Sequence, residues 1–335
     1  MISQDNFRIY TATVLTSFIV TFLILKPLIP YFRKLKFGNT EREELASHQK
    51  KNGTPSMGGV GIIIGTMVAI TSAFSLEEAY GHATEGLKGV TPIVVVMLCF
   101  GLIGFMDDYL KSVKHKSDGL IAVEKMALEI LVTGVFLAYI ILKHDGDAFI
   151  TNVYVPFFDF SIKLGILGYP IFFLAVIGTV NGVNFTDGVD GLVSTVTLPV
   201  CAFYVVAGET TGIFGTSMVS AAMMGALFGF LMHNAHPAKI FMGDTGSLAL
   251  GGYVAASAYM TGTPIFVLLV GFVYWVEILS VMLQVSYFKI TKGKRIFRMA
   301  PIHHHFELGG WSETKVVTVF ASITAALCAI GICGL

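Results

Sequence analysis

Residues 90–108 read VTPIVVVMLCFGLIGFMDD, and this stretch decides the fold. Val90 to Met106 is almost wholly apolar, and as a helix it approaches the roughly 20 residues that cross a bilayer core. Asp107 and Asp108 end the run at once. A span that stops on two carboxylates places charge at a membrane surface, where it is costly without a partner or a role.

The rest of the chain repeats this pattern. Of 335 residues, 54% are hydrophobic and 13% charged, against about a quarter charged in soluble domains. Mean hydropathy is +0.75. Ten apolar segments predict spans at roughly 9–30, 57–75, 90–106, 125–142, 163–180, 190–207, 212–232, 246–261, 264–288 and 315–334. The eighth is the weakest, being short and rich in Gly and Ala. The first span has no basic segment before it and no small-residue cleavage site after it, so it reads as a retained helix. Cys99, Cys201, Cys328 and Cys333 lie inside apolar runs and read as small hydrophobes.

Basic residues orient the spans. One side collects Arg33, Lys34, Lys36, Arg42, Lys50, Lys51, Lys111, Lys114, Lys116, Lys125, Lys239, Lys289, Lys292, Lys294, Arg295, Arg298 and Lys315. The other holds Arg8, Lys88, Lys143 and Lys163. The expectation is an all-α integral membrane protein, one polytopic domain over 1–335. It has about ten transmembrane helices, both termini outside, and its active site at the cytoplasmic face. Net charge is +0, and no nucleic-acid partner is expected.

The scarce acids gather on the basic side. Asp107 and Asp108 are joined there by Asp187 and Asp190, in NGVNFTDGVDG at 181–191, and by Asp244, in FMGDTGS at 241–247. His303, His304, His305 and Glu307 follow in the last loop of that side. Carboxylate and amide oxygens without cysteine suit Mg²⁺, which binds one or two carboxylates together with substrate phosphates. Lys111, Lys125 and the basic 289–298 loop supply charge for phosphate oxygens. The set reads as a Mg²⁺-dependent phosphoryl-transfer site at the membrane surface.

Plainer readings stand beside each element. An acidic pair at a span end is often solvated, and 181–191 has the composition of a turn. Glu124, Lys125 and Glu129 fit a charged helix face, and Lys26 fits a snorkelling lysine. The histidines suit a metal, or neutral rings hydrogen-bonded to phosphate or sugar. Glu277, deep in the ninth span, either pairs with another polar group or sits at a helix break.

Five segments resemble one family in order: HQKKNGTPSMGG at 48–59, GFMDDYLK at 104–111, NGVNFTDGVDGL at 181–192, FMGDTGSLALGG at 241–252, and PIHHHFEL at 301–308 with GWSE at 310–313. The family is the polyprenyl-phosphate N-acetylhexosamine-1-phosphate transferases, and the last segment is similar to its muramoyl branch. The resemblance implies transfer of phospho-MurNAc-pentapeptide from UDP-MurNAc-pentapeptide to undecaprenyl phosphate, giving lipid I and UMP, in a bacterial cytoplasmic membrane. It also implies a homodimer.

The same resemblance implies that Asp244 holds Mg²⁺ and that Asp107, Asp108, Lys125 and His303 belong to the catalytic set. Asn181, Asn184, Asp187, Gly188, Asp190, Asn234, Phe241, His304, His305 and Lys111 would bind substrate, with Phe241 stacked on uracil and Asp190 accepting its N–H. Asp107 would be the base for the lipid phosphate. A phosphate monoester, however, has a second pKa of about 6 and is already mostly ionised at neutral pH. Gly182, Phe185, Val189, His233 and His236 depart from the family's usual residues without removing a charge. A groove at a bend in the ninth span would admit the prenyl chain. A transferase for UDP-N-acetylglucosamine is the nearest alternative. A cation transporter is the distant one, disfavoured because transporter carboxylates lie near the bilayer midplane.

Overall fold

A computed structural model describes residues 2–35, 53–79, 89–112, 119–143, 148–158 and 160–335. His48 to Asn52 of the first motif, and Lys36, Arg42, Lys50, Lys51, Lys88, Lys114 and Lys116 of the charge count, lie outside the described residues.

The apolar segments become long helices: α1 (Gln4–Lys34), α2 (Gly59–Ala79), α3 (Val90–Ser112), α4 (Ala122–Lys143), α6 (Gly168–Thr186), α7 (Leu192–Thr211), α8 (Phe214–Asn234), α9 (Gly243–Met260), α11 (Phe272–Ile290) and α13 (Glu313–Ile332). Short helices α5 (Ala148–Thr151), α10 (Phe266–Val270) and α12 (Ile302–Glu307) join them. Local signals set the ends of the first and last. Ser3 caps α1 by accepting from Asn6 N, and Arg33 and Lys34 occupy the last turn, where the helix dipole favours cations. Ser312 caps α13 by accepting from Lys315 N.

Among the described residues, nine helices are long and apolar enough to cross a membrane. The expected eighth span, α9, is the helix that falls short, and its position explains why. Every residue from Thr245 to Met260 is buried, with α9 enclosed mainly by α2, α3 and α6. A helix that meets no lipid needs small residues for close packing more than it needs hydropathy. The outer helices carry the opposite pattern. Leu15, Ile19 and Leu23 on α1, Leu131 and Val135 on α4, and Met282 and Leu283 on α11 are exposed. An apolar surface of that extent belongs against hydrocarbon.

The close approach of α3 to the start of α9 depends on Gly104. A Cβ there would stand 2.0 Å from the Asp244 carbonyl oxygen, so no larger residue lets α3 lie this near the start of α9.

Two features add detail to the expected pattern. The ninth segment is broken at Gly271 into α10 and α11. The loop after α4 holds an antiparallel hairpin, β1 (Asn152–Val155) with β2 (Phe160–Lys163), paired Asn152 to Lys163 and Val155 to Phe160. An apolar cleft beside the break is lined by Val153, Ile162, Leu174, Tyr259, Leu268 and Trp275. This cleft lies by Tyr259, toward the end of α9 opposite Asp244.

Candidate active site

Helix ends build the site. The C-terminal turn of α3 brings Asp107, Asp108 and Lys111, and the first turn of α4 brings Lys125. The C-terminus of α6 brings Asn184 and the turn 187–191. The C-terminus of α8 brings Asn234, and the start of α9 brings Asp244. Asp108, Lys111, Asn184, Asn234 and Asp244 line one cleft, with Ser56, Asp187, Asp190 and Phe241 in its wall, and Asp107 and Lys125 reach it through Lys111 and Asp244.

The start of α9 has no cap of its own, because Met242 makes no side-chain bond there. Its unpaired N–H groups are met from α3 instead. Asp244 N donates to Asp108 Oδ1 at 3.1 Å, and Thr245 N and Oγ1 donate to Asp108 Oδ2 at 2.9 and 2.6 Å. The bonds of Asp108 therefore set where Asp244 stands.

Asp244 is held on both oxygens. Lys125 Nζ lies 3.1 Å and Lys111 Nζ 3.5 Å from Oδ2, and Asn184 Nδ2 donates to Oδ1 at 3.0 Å. Asn184 also reaches Ser247 Oγ at 2.8 Å. Asp107, 2% exposed, accepts from Leu120 N at 2.7 Å and pairs with Lys111 at 2.5 Å. It ties the entry to α4 to the end of α3.

Asp187 lies just past the end of α6, and among the described residues neither it nor Asp108 pairs with a lysine. Burial pushes the Asp187 carboxyl well above the ordinary range, and the charges of Asp244, Asp108 and Asp190 push the same way. Four carboxyl groups (107, 108, 187 and 244) thus share two ammonium groups (111 and 125), which pair with Asp107 and Asp244. An all-oxygen set with surplus negative charge fits Mg²⁺.

Two other groups of described residues bring three ligand atoms within 4.8 Å of one another: His303, His304 and Glu307, and Asp190, His236 and Glu313. Their closeness is that of histidine–carboxylate hydrogen bonds, and neither includes Asp244. Mg²⁺ beside Asp244 would take phosphate and water oxygens besides its carboxylates, which is how that ion is usually held.

At the far end of the cleft, Asn234 uses its whole amide on backbone. Its Oδ1 accepts from Gly191 N at 3.0 Å and its Nδ2 donates to Ile240 O at 2.9 Å. Phe241 is pinned through its main chain, with N donating to Pro55 O and O accepting from Gly58 N. Asp190 Oδ2 accepts from Ala238 N at 3.0 Å and lies 3.2 Å from His236 Nδ1, which is itself 3.5 Å from Glu313 Oε2. This link from the 187–191 turn to the start of α13 is absent from the sequence reading. Its members lie 46 and more positions apart, and His236 stood out there only as a departure from a motif.

The three histidines do not point into one place. His303 is wholly buried, with Nδ1 3.0 Å from Glu277 Oε2, and its ring lies against Gly188, behind the cleft wall. His304 Nδ1 lies 2.7 Å from Glu307 Oε2. His305 Nδ1 accepts from Arg298 N at 3.1 Å, which leaves Nε2 to carry the ring proton. Asn181 also turns away, donating to Glu129 Oε2 at 2.6 Å between α6 and α4. Glu277 and Glu129, deep in spans, thus each have a polar partner.

The chain is similar to known proteins over nearly its whole length. The family model described as Glycosyl transferase family 4 matches residues 90–262, from the start of α3 past the end of α9. The chain is 45% identical over 324 residues to a protein named phospho-N-acetylmuramoyl-pentapeptide-transferase from Clostridium botulinum (strain Alaska E43 / Type E3), covering 95% of each chain. It is 47% identical over 322 residues to the protein of that name from Acetivibrio thermocellus, covering 94% of this chain and 93% of the other. Against the one from Caldicellulosiruptor bescii it is 42% identical over 320 residues, 95% of each.

Proposed function

The chain belongs to the phospho-N-acetylmuramoyl-pentapeptide-transferases of glycosyl transferase family 4, and from that premise we propose that it moves phospho-MurNAc-pentapeptide from UDP-MurNAc-pentapeptide to undecaprenyl phosphate with Mg²⁺, releasing UMP and leaving lipid I. It is a multi-pass enzyme of the bacterial cytoplasmic membrane. The observation that carries the reaction is Asp244, held at a helix start by Lys111, Lys125 and Asn184 in a cleft of surplus negative charge.

An oxygen of the lipid phosphate attacks the sugar-linked phosphorus of the donor. One phosphoanhydride forms as another breaks, and UMP departs with the bonding electrons. The step is close to isoenergetic, so the protein's work is to align two anions and neutralise charge. Asp244 and Asp187 would hold Mg²⁺, which when bound neutralises the diphosphate and withdraws charge from its phosphorus. Lys125 and Lys111 stand beside Asp244, where phosphate oxygens would replace part of their carboxylate contact. Asp108 holds the start of α9 in register. Asp107 already accepts from Leu120 N and Lys111, which favours a positioning role for it over that of a base. Phe241, with its main chain fixed, would offer its ring to uracil, and Asp190 would accept the uracil N–H. The expected homodimer belongs to the same proposal.

The test is UMP release by purified protein in detergent. Turnover of UDP-MurNAc-pentapeptide with undecaprenyl phosphate, abolished by EDTA and absent with UDP-N-acetylglucosamine, is expected. Turnover of UDP-N-acetylglucosamine alone would overturn the donor, and inertness toward both donors would overturn the reaction.

A further inference from the structure

We infer that Glu277 is a positioning residue for the transfer reaction, acting through His303 on the Gly188 turn of the donor site; this rests on the transferase reading. Glu277 sits on the inner face of α11 with Val273, Ser280 and Gln284, and is 0% exposed. A carboxylate there is costly to bury, and an apolar side chain of similar volume would hold two helices together at least as well. Its side-chain hydrogen bond goes to a single group, the His303 imidazole, also 0% exposed, at 3.0 Å.

Each partner has an unused atom. Glu277 Oε1 and His303 Nε2 are both buried and make no hydrogen bond among the described residues. A pair serving packing alone would gain by satisfying them. With Nδ1 committed to the carboxylate, Nε2 is the ring atom left to address something else, and its position says what. A Cβ built on Gly188 would lie 2.3 Å from His303 Nε2. The free nitrogen therefore stands against the one residue of the cleft wall between Asp187 and Val189 that has no side chain. Glu277 fixes which edge of the imidazole faces Gly188, whose lack of a side chain lets the ring lie against the cleft wall. With Nδ1–H donated to the carboxylate, Nε2 of the neutral ring accepts, and the chemistry this suits is a hydroxyl or amide N–H of the donor's sugar reaching the turn.

α12 has other anchors. His305 is tied to Arg298 N, and Gln284 of α11 accepts from the main-chain N–H groups of Ile296 and Phe297. Loss of the Glu277–His303 bond should therefore disturb function more than folding.

The experiment is a double-mutant cycle on the full-length protein, with UMP release from UDP-MurNAc-pentapeptide as readout and thermal melting as control. Glu277→Gln, which keeps the shape and removes the charge, should lower kcat/KM for the donor by about 10- to 100-fold, the range of a hydrogen bond to a charged group. KM for undecaprenyl phosphate should stay in place. The same substitution made in a His303→Gln protein should cost nothing further. Gly188→Ala, which displaces the ring from the other side, should likewise add nothing to His303→Gln. Losses that multiply in these pairs, or an unchanged donor kcat/KM in Glu277→Gln, would overturn the inference. If Glu277→Gln does not fold, the Gly188→Ala pair decides it by the same criterion. A wild-type protein that releases no UMP would instead sink the transferase reading.

Discussion

Lys125 Nζ lies 3.1 Å from Asp244 Oδ2 across 119 positions of sequence. The contact joins the first turn of α4 to the first turn of α9, and it leaves a half-buried ammonium at the place where phosphate charge would gather. Lys125→Met removes that charge and should lower kcat by about 10²- to 10³-fold, the range seen when one preorganised donor is lost. Single-turnover UMP release at saturating donor would measure it. A variant with normal kcat and only a raised KM would assign Lys125 to binding alone.

Asp107 is engaged by Leu120 N and Lys111, so Asp107→Asn should lower activity equally at about pH 8 and about pH 5.5, on either side of the second phosphate pKa near 6. A base would matter only where the lipid phosphate still carries its proton. Full activity at the higher pH with a deficit at the lower would restore the base role.

Asp108 and Gly104 govern the α3–α9 junction, and their substitutions should be read as stability changes. Asp108→Ala strips the cap from α9, worth about 1–2 kcal/mol for a lost cap. Gly104→Ala forces a methyl toward the Asp244 carbonyl, an overpacking cost of about 1–3 kcal/mol. Both should lower the melting temperature and activity together. Asp244→Asn should abolish activity with the melting temperature little changed. A Gly104→Ala protein as stable as wild type would mean the two helices can separate freely.

Much of this was legible from residues alone. Runs such as Val90 to Met106 carry the period-independent signature of a span, and acids that end those runs are rare enough to be informative. Proximity in space was harder to read. Asp108 reads as one of an acidic pair, yet its bonds go to Thr245 and the main chain of Asp244, and only folding reveals that α9 lacks its own cap. α9 itself was the faintest span because hydropathy reports contact with lipid, and this helix has none. The Asp190–His236–Glu313 link has no local pattern at all. The hairpin 152–163 was hidden in a loop whose strands are four residues each, too short for alternation to show.

Asp187 offers a test by pH. Burial, and then the charges of Asp244, Asp108 and Asp190, raise its carboxyl well above the ordinary 3.8. The folded protein therefore keeps this proton to a higher pH than the unfolded chain does. The group's contribution to stability is complete below the unfolded value and is lost as pH climbs through the raised folded one. In Mg²⁺-free buffer the melting temperature should fall over that climb, and Asp187→Asn should remove this part of the slope. An identical slope in the variant would place the titrating group elsewhere.

Phe241 separates binding from chemistry. Its main chain is pinned on both sides, to Pro55 O and Gly58 N, so Phe241→Ala should leave the segment in place and remove only the ring. Stacking on a base is worth about 1–3 kcal/mol, and uracil is present equally in the bound donor and in the transition state. The loss should therefore appear as a raised KM for the UDP donor with kcat retained. KM for undecaprenyl phosphate should not move, because that substrate carries no base. A fall in kcat at saturating donor would mean that the ring helps to place the diphosphate against Asp244, and that the nucleotide end of the cleft is coupled to its reacting end.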